Sequence, residues 1–116
     1  ISQWAAWSAL TGSQDWVKEM VREWQSNRDY FVNMIKDIPQ LKCCFPQATG
    51  FAFLDVSAYG RSSSEVTKIL LEQYGIPSTP GKVFHGEGYI RLPFGGSIAV
   101  HRELISLLKK SLREWD

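Results

Sequence analysis

With 116 residues the chain is sized for one domain with a modest core. Its hydrophobic fraction of 44% and charged fraction of 22% are ordinary for a soluble globular chain. A formal charge of +1 gives no electrostatic case for nucleic acid or an anionic membrane; no apolar run reaches a membrane span, and nothing resembles a signal peptide.

The sequence begins at Ile1 without a methionine, in what reads as mid-helix, and is expected to be a piece of a longer protein. Trp4, Trp7 and Leu10 recur at helical spacing, and Gly12 is placed to stop that helix. Two tryptophans on so short an element need a partner surface; left uncovered, they invite self-association. Ser13 suits the N-cap of the next helix and Asp15 its positive first turn. This helix is expected from about Gln14 to Ile38, with Pro39 closing it. Val17, Val21, Trp24, Phe31, Ile35 and Ile38 form one seam, interrupted at Arg28. At 1.5 Å per residue it would be roughly 37 Å long, which suits a strut between two domains; an interaction coiled coil competes, but its seam would carry Arg28.

Cys43 and Cys44 are adjacent, a spacing that rarely bridges, and no histidine cluster accompanies them for zinc. Reduced thiols of a cytoplasmic or organellar-matrix protein are expected. After Pro46, Thr49–Ser57 reads as an aromatic and aliphatic strand, with Phe51 and Phe53 expected in the core. Ser62 and Glu65 are spaced for a capping box; Val66, Ile69 and Leu70 continue that helix, and Gly75 supplies its stop. As a phosphate loop the Ser62–Ser64 run lacks both a glycine pattern and a strand leading directly into it.

Ile76–Thr79 is expected as a short strand broken by Pro80-Gly81, and Gly86 and Gly88 let the chain turn back. The following strand, Tyr89–Phe94, alternates. Ile90, Leu92 and Phe94 take one face; Tyr89, Arg91 and Pro93 take the other. Arg91 is then either a solvated or carboxylate-paired strand arginine, or a fixed cation for an anionic ligand. His85, beside Glu87, stands where it could line a cleft but is expected to be exposed, and His101 has no visible partner. Gly95-Gly96-Ser97 turns the chain into a last helix, with Leu104, Leu107, Leu108, Leu112 and Trp115 on its buried stripe. Lys109, Lys110 and Arg113 complement its dipole and, with Arg102, form a basic face. No serine–histidine–aspartate set, metal spacing or phosphate loop is present. The element order implies an α/β (α+β) sandwich: a small, mostly antiparallel three-stranded sheet with helices packed on one face.

The run Tyr74-Gly75-Ile76, then Pro80-Gly81 with Phe84, then Gly88-Tyr89-Ile90-Arg91-Leu92, resembles the end of the fold-type I, pyridoxal-phosphate-dependent aminotransferases of class I/II. Asn27-Arg28-Asp29 is similar to that family's arginine–aspartate pair, read here as structural, and Gly50–Asp55 to its glycine-to-acid strand segment, with Phe53 where tyrosine is common. The resemblance runs from Trp4 to Leu112 and is most specific from Gly75 to Leu92. It implies that residues 1–12 are the remnant of a large-domain helix and that 13–116 form the C-terminal small domain, with 13–38 the long interdomain helix. It further implies that Arg91 binds the substrate α-carboxylate, that the substrates are an amino acid and a 2-oxo acid, and that the full-length protein is a homodimer. Pyridoxal 5'-phosphate is the implied cofactor. The family's Schiff-base lysine and phosphate contacts lie in upstream segments, which none of Lys18, Lys36, Lys42, Lys68, Lys82, Lys109 and Lys110 matches, so the chain alone is expected to be inactive. Aminocyclopropane-carboxylate synthases and β-lyases share the pattern. A free-standing amino-acid-binding or regulatory module without cofactor is the alternative.

Overall fold

The computed structural model describes residues 1–115; Asp116, the end of the expected 13–116 domain, lies outside the described residues. In chain order the elements are α1 (Ser2–Thr11), α2 (Asp15–Ile35), β1 (Lys42–Cys43), β2 (Phe51–Asp55), α3 (Ser63–Tyr74), β3 (Thr79–Pro80), β4 (Tyr89–Pro93) and α4 (Ile98–Arg113). Short 3-10 turns cover Ser57–Tyr59 and Gly81–Phe84.

The sheet is antiparallel throughout, in the order β1-β2-β4-β3. Its centre is the β2–β4 pair, in which Phe53 faces Arg91 and Leu54 faces Ile90. Alternation divides the two strands. Ala52, Leu54, Ile90 and Leu92 are fully buried on one face. Against them pack Phe31 and Ile35 of α2, Val66 and Leu70 of α3, and Ile105, Leu108 and Leu112 of α4. The helices thus cover one face, as expected for this fold class, and the other face carries Phe51, Phe53, Tyr89 and Arg91.

That division corrects the expectation for Phe51 and Phe53, which are not core residues: Phe51 is 43% exposed and Phe53 half-buried. The small and aliphatic residues of β2 face the helices, so the period of two sends both rings to the open side. The expected three strands become four through β1, whose two residues are too short to show alternation. Nor does Ile76 open a strand. Its N–H closes the end of α3 on the Leu70 carbonyl (2.9 Å), with Gly75 left-handed at φ 67°. Ile76 is buried instead, and pairing begins only at Thr79.

Both ends of the long helix also differ from expectation. The Ser13 hydroxyl accepts from the Asp15 N–H (3.2 Å), but the helix starts at Asp15 with Gln14 making no side-chain cap bond. It ends at Ile35, and Ile38 turns back to the Ile35 carbonyl (3.0 Å), because a residue before proline disfavours helical backbone. Within α2 the buried residues begin only at Asn27, whose amide donates to the Gly96 carbonyl (2.7 Å). The half of α2 before Asn27 leaves Trp16, Val21 and Trp24 exposed, and α1 has no buried residue, with Trp4 at 73% and Trp7 at 60% exposure. The capping box of α3 forms as expected, with Ser62 and Glu65 bonded reciprocally.

Candidate functional site: the open face around Arg91

Three segments meet on the uncovered face of the sheet. β4 supplies Arg91, β2 supplies Phe51, and the turn after β3 supplies Phe84. The Arg91 guanidinium carbon lies over the Phe51 ring, 4.4 Å from its centre, and over the Phe84 ring at 4.7 Å. Among the described residues one hydrogen bond engages the guanidinium, from Nη2 to Thr79 Oγ1 at 3.4 Å, and no carboxylate pairs with it. Carboxylate pairing, one of the readings of a strand arginine, is thus not formed among the described residues. An open cleft of about 210 Å³ adjoins the side chain, lined by Phe51, Pro77, Ser78, Thr79, Arg91 and Pro93. The Ser78 hydroxyl oxygen is buried there without a hydrogen-bond partner.

The turn that carries Phe84 is fixed by backbone. Gly81 is buried so close to the returning chain that a Cβ would stand 2.2 Å from the Gly86 carbonyl oxygen and 2.5 Å from that of Tyr89. The Gly86 N–H closes on the Gly81 carbonyl (3.0 Å). Glu87 reaches away from the cleft to the first turn of α3, accepting from the Ser63 N–H (2.7 Å) and the Ser63 hydroxyl (3.0 Å). The backbone bond, then the hydroxyl bond, holds the Glu87 carboxyl below its usual range, in keeping with a carboxylate at a helix N-terminus. Glu87 is thus a structural tie. His85 is exposed, with left-handed backbone at φ 58°, as expected of a loop residue outside the site.

His101 lies elsewhere, buried at 1% exposure in the core edge-on to Phe31 (6.3 Å), and neither ring nitrogen has a partner. Burial pushes the Cys43 thiol up to about 11, which makes it a poor nucleophile, and Cys44 is an exposed free thiol. Among the described residues no group of three or more histidine, cysteine, aspartate or glutamate side chains could hold a metal ion, and no helix is long and apolar enough to cross a membrane. None of the lysines lines the Arg91 cleft. Sequence reasoning singled out Arg91 and did not name the aromatic rings beside it. The available signal was parity: Phe51 is an even number of positions from Phe53, which sits opposite Arg91.

Residues 1–108 match the family model for aminotransferase class I and II. The putative aminotransferase YugH of Bacillus subtilis is 31% identical over 116 residues, covering 98% of this chain and 30% of its own length. The probable aspartate aminotransferase of Methanocaldococcus jannaschii is 35% identical over 111 residues, 94% of this chain and 28% of its own. An alanine aminotransferase from Pyrococcus furiosus shares the fold at a TM-score of 0.88 and 26% identity, over 97% of this chain and 29% of that one. The chain therefore spans about 30% of the length of the curated relatives it matches. With a family model covering almost all of its elements and a common fold beneath it, the chain belongs to the aminotransferase class I and II family.

Proposed function

We propose that this chain is the C-terminal small domain of a pyridoxal-phosphate-dependent aminotransferase, and that Arg91 binds the α-carboxylate of its amino-acid and 2-oxo-acid substrates. The observation that carries this reading is the Arg91 guanidinium itself: held against two rings on the open face of the sheet, next to a cleft, with no carboxylate on it among the described residues. A guanidinium offers parallel N–H donors that match the two oxygens of a carboxylate, and a rigid strand leaves little ordering to be done on binding. The residues present do not fit covalent attachment of the cofactor. The lysines are exposed except for half-buried Lys109, whose nearest carboxylate is Asp37 at 3.9 Å. The cofactor lysine is accordingly assigned to the part of the protein outside this chain, and residues 1–12 to a helix of that larger domain. The same reading takes the full-length protein to be a homodimer, which sedimentation of that protein tests.

The test is Arg91→Lys and Arg91→Ala in the full-length protein carrying this chain, assayed against a panel of amino acids with 2-oxoglutarate. Charge-assisted hydrogen bonds contribute roughly 1.5–3 kcal/mol, so kcat/KM should fall by about one to two orders of magnitude for amino and oxo acids alike. The cofactor absorbance should persist. Near-normal kcat/KM in Arg91→Ala would refute the carboxylate assignment and leave Arg91 an ordinary strand arginine; a full-length protein without cofactor absorbance or transamination would instead favour the free-standing binding module.

A further inference from the structure

We infer that Phe51 and Phe84 are positioning residues for Arg91: their rings hold the guanidinium in place while leaving its N–H edge free for the incoming carboxylate. The inference rests on the reading of Arg91 as the carboxylate ligand and adds the means by which that cation is aimed.

An arginine fixed by a carboxylate has its charge compensated and its donors occupied, so a substrate must displace the partner before it binds. An arginine left in water keeps its donors but carries several flexible torsions that binding must freeze. Aromatic faces provide a third arrangement. They attract the cation through the ring quadrupole and accept no N–H bond in the guanidinium plane. Here the guanidinium carbon is 4.4 Å and 4.7 Å from the two ring centres, while a single N–H is engaged, weakly, by Thr79. Both rings are exposed to an extent that burial alone does not explain, Phe84 at 45%.

The rings are themselves held. Phe84 meets the Phe53 ring edge-to-face at 6.3 Å, and Phe53 stacks on Tyr89 at 5.1 Å with an interplanar angle of 6°. Gly86 lies against the same Phe53 ring, where a Cβ would come within 3.1 Å of its Cε1 and Cζ. The order Tyr89, Phe53, Phe84, Arg91 is thus a continuous row of contacts across the open face. It ties the aim of the arginine to the turn that Gly81 closes. Phe51 joins the guanidinium independently, from the start of β2.

The experiment uses the full-length protein with propionate, a carboxylate lacking an amino group, as a competitive inhibitor of transamination. Phe84→Leu and Phe51→Leu remove a ring face while keeping an apolar side chain; each should raise the inhibition constant about three- to tenfold. Phe84→Tyr, which keeps the face, should restore wild-type inhibition, which a purely volumetric role would not require. In an Arg91→Ala background the same leucine changes should have no further effect. The inference is overturned if the leucine variants stay within about twofold of wild type while Arg91→Ala loses propionate binding, a result that leaves the carboxylate reading standing. It is equally overturned if the leucine losses persist undiminished without Arg91, since the rings would then act on the fold. If Arg91→Ala itself leaves propionate binding unchanged, the carboxylate reading fails and takes this inference with it. Cofactor absorbance reports folding, and Phe51→Leu, at the start of β2 and outside the turn that Gly81 closes, carries the test should Phe84→Leu lose it.

Discussion

Replacing Gly81 with alanine is the sharpest perturbation the fold offers, because the obstacle is backbone on every side. The added methyl would meet the Gly86 carbonyl oxygen at 2.2 Å and the Tyr89 carbonyl oxygen and carbon at 2.5 and 2.9 Å. No side chain can swing away. The turn must therefore open by about 1 Å to reach ordinary contact distance. Overpacking of this kind typically costs about 1–3 kcal/mol, and losing the Gly86-to-Gly81 hydrogen bond adds about 1 kcal/mol. A loss of roughly 2–4 kcal/mol follows, a large share of the ~5–15 kcal/mol that holds a domain of this size. In a thermal melt this corresponds to a drop of roughly 8–16 °C. Urea unfolding followed by circular dichroism measures it directly. Two other glycines serve as controls. Gly75→Ala meets nothing within 4 Å but keeps a left-handed φ of 67°, and should lose about 1 kcal/mol. Gly95→Ala, in open space without positive φ, should gain about 0.5 kcal/mol. A Gly81→Ala variant within 0.5 kcal/mol, about the size of the Gly95 effect, would refute the argument that backbone contact makes this glycine obligatory.

Three further outcomes are expected. The Glu87 carboxyl is held below its ordinary 4.5 by the Ser63 N–H and hydroxyl, so its contribution is complete above about pH 4.5 and disappears as pH falls through the lower folded value; Glu87→Gln should flatten the acid side of a stability-versus-pH curve, and an unchanged acid limb would contradict the tie. His101→Leu removes two buried ring nitrogens without partners, so the variant should unfold at higher urea by about 1 kcal/mol; a marked loss would mean that the imidazole does more than fill space. The 116-residue chain by itself should self-associate at high concentration through Trp4 and Trp7, and Trp4→Ser with Trp7→Ser should abolish this in sedimentation; a wild-type chain that stays monomeric would show that the exposed face needs no cover.

What could be read in advance followed from local rules. The Ser62–Glu65 box, the Gly75 stop and the alternation of Tyr89–Phe94 are short-range patterns, and each forms as the pattern dictates. Arg91 was legible for the same reason: its strand fixes its face. The parity of β2 was not, because Phe51-Ala52-Phe53-Leu54 is apolar on both faces and period alone does not say which set meets the helices. Ile76 looked like a strand residue because β-branched residues suit strands, whereas the glycine stop claimed its N–H first. The rings on Arg91 are a product of register, Phe53 against Arg91 in β2–β4 and Thr79 against Arg91 in β3–β4. No single stretch of sequence contains that information. The His101 ring lacks a partner among the described residues, and its complete burial against Phe31 depends on where α4 lands.

The bond from Asn27 to Gly96 gives α2 a fulcrum. Beyond it, Asp15–Ser26 runs about 18 Å with no residue buried in the core. A tilt of about 10° at Asn27 would sweep the far end of that arm through roughly 3 Å. Gly96 sits one residue before the Ser97 cap of α4, so this bond joins the middle of α2 to the start of a helix that backs the sheet. Trp16 and Trp24 ride on that arm, so a surface that covers them meets α2 ahead of the half that Asn27, Phe31, Val32 and Ile35 bury against the sheet and its helices.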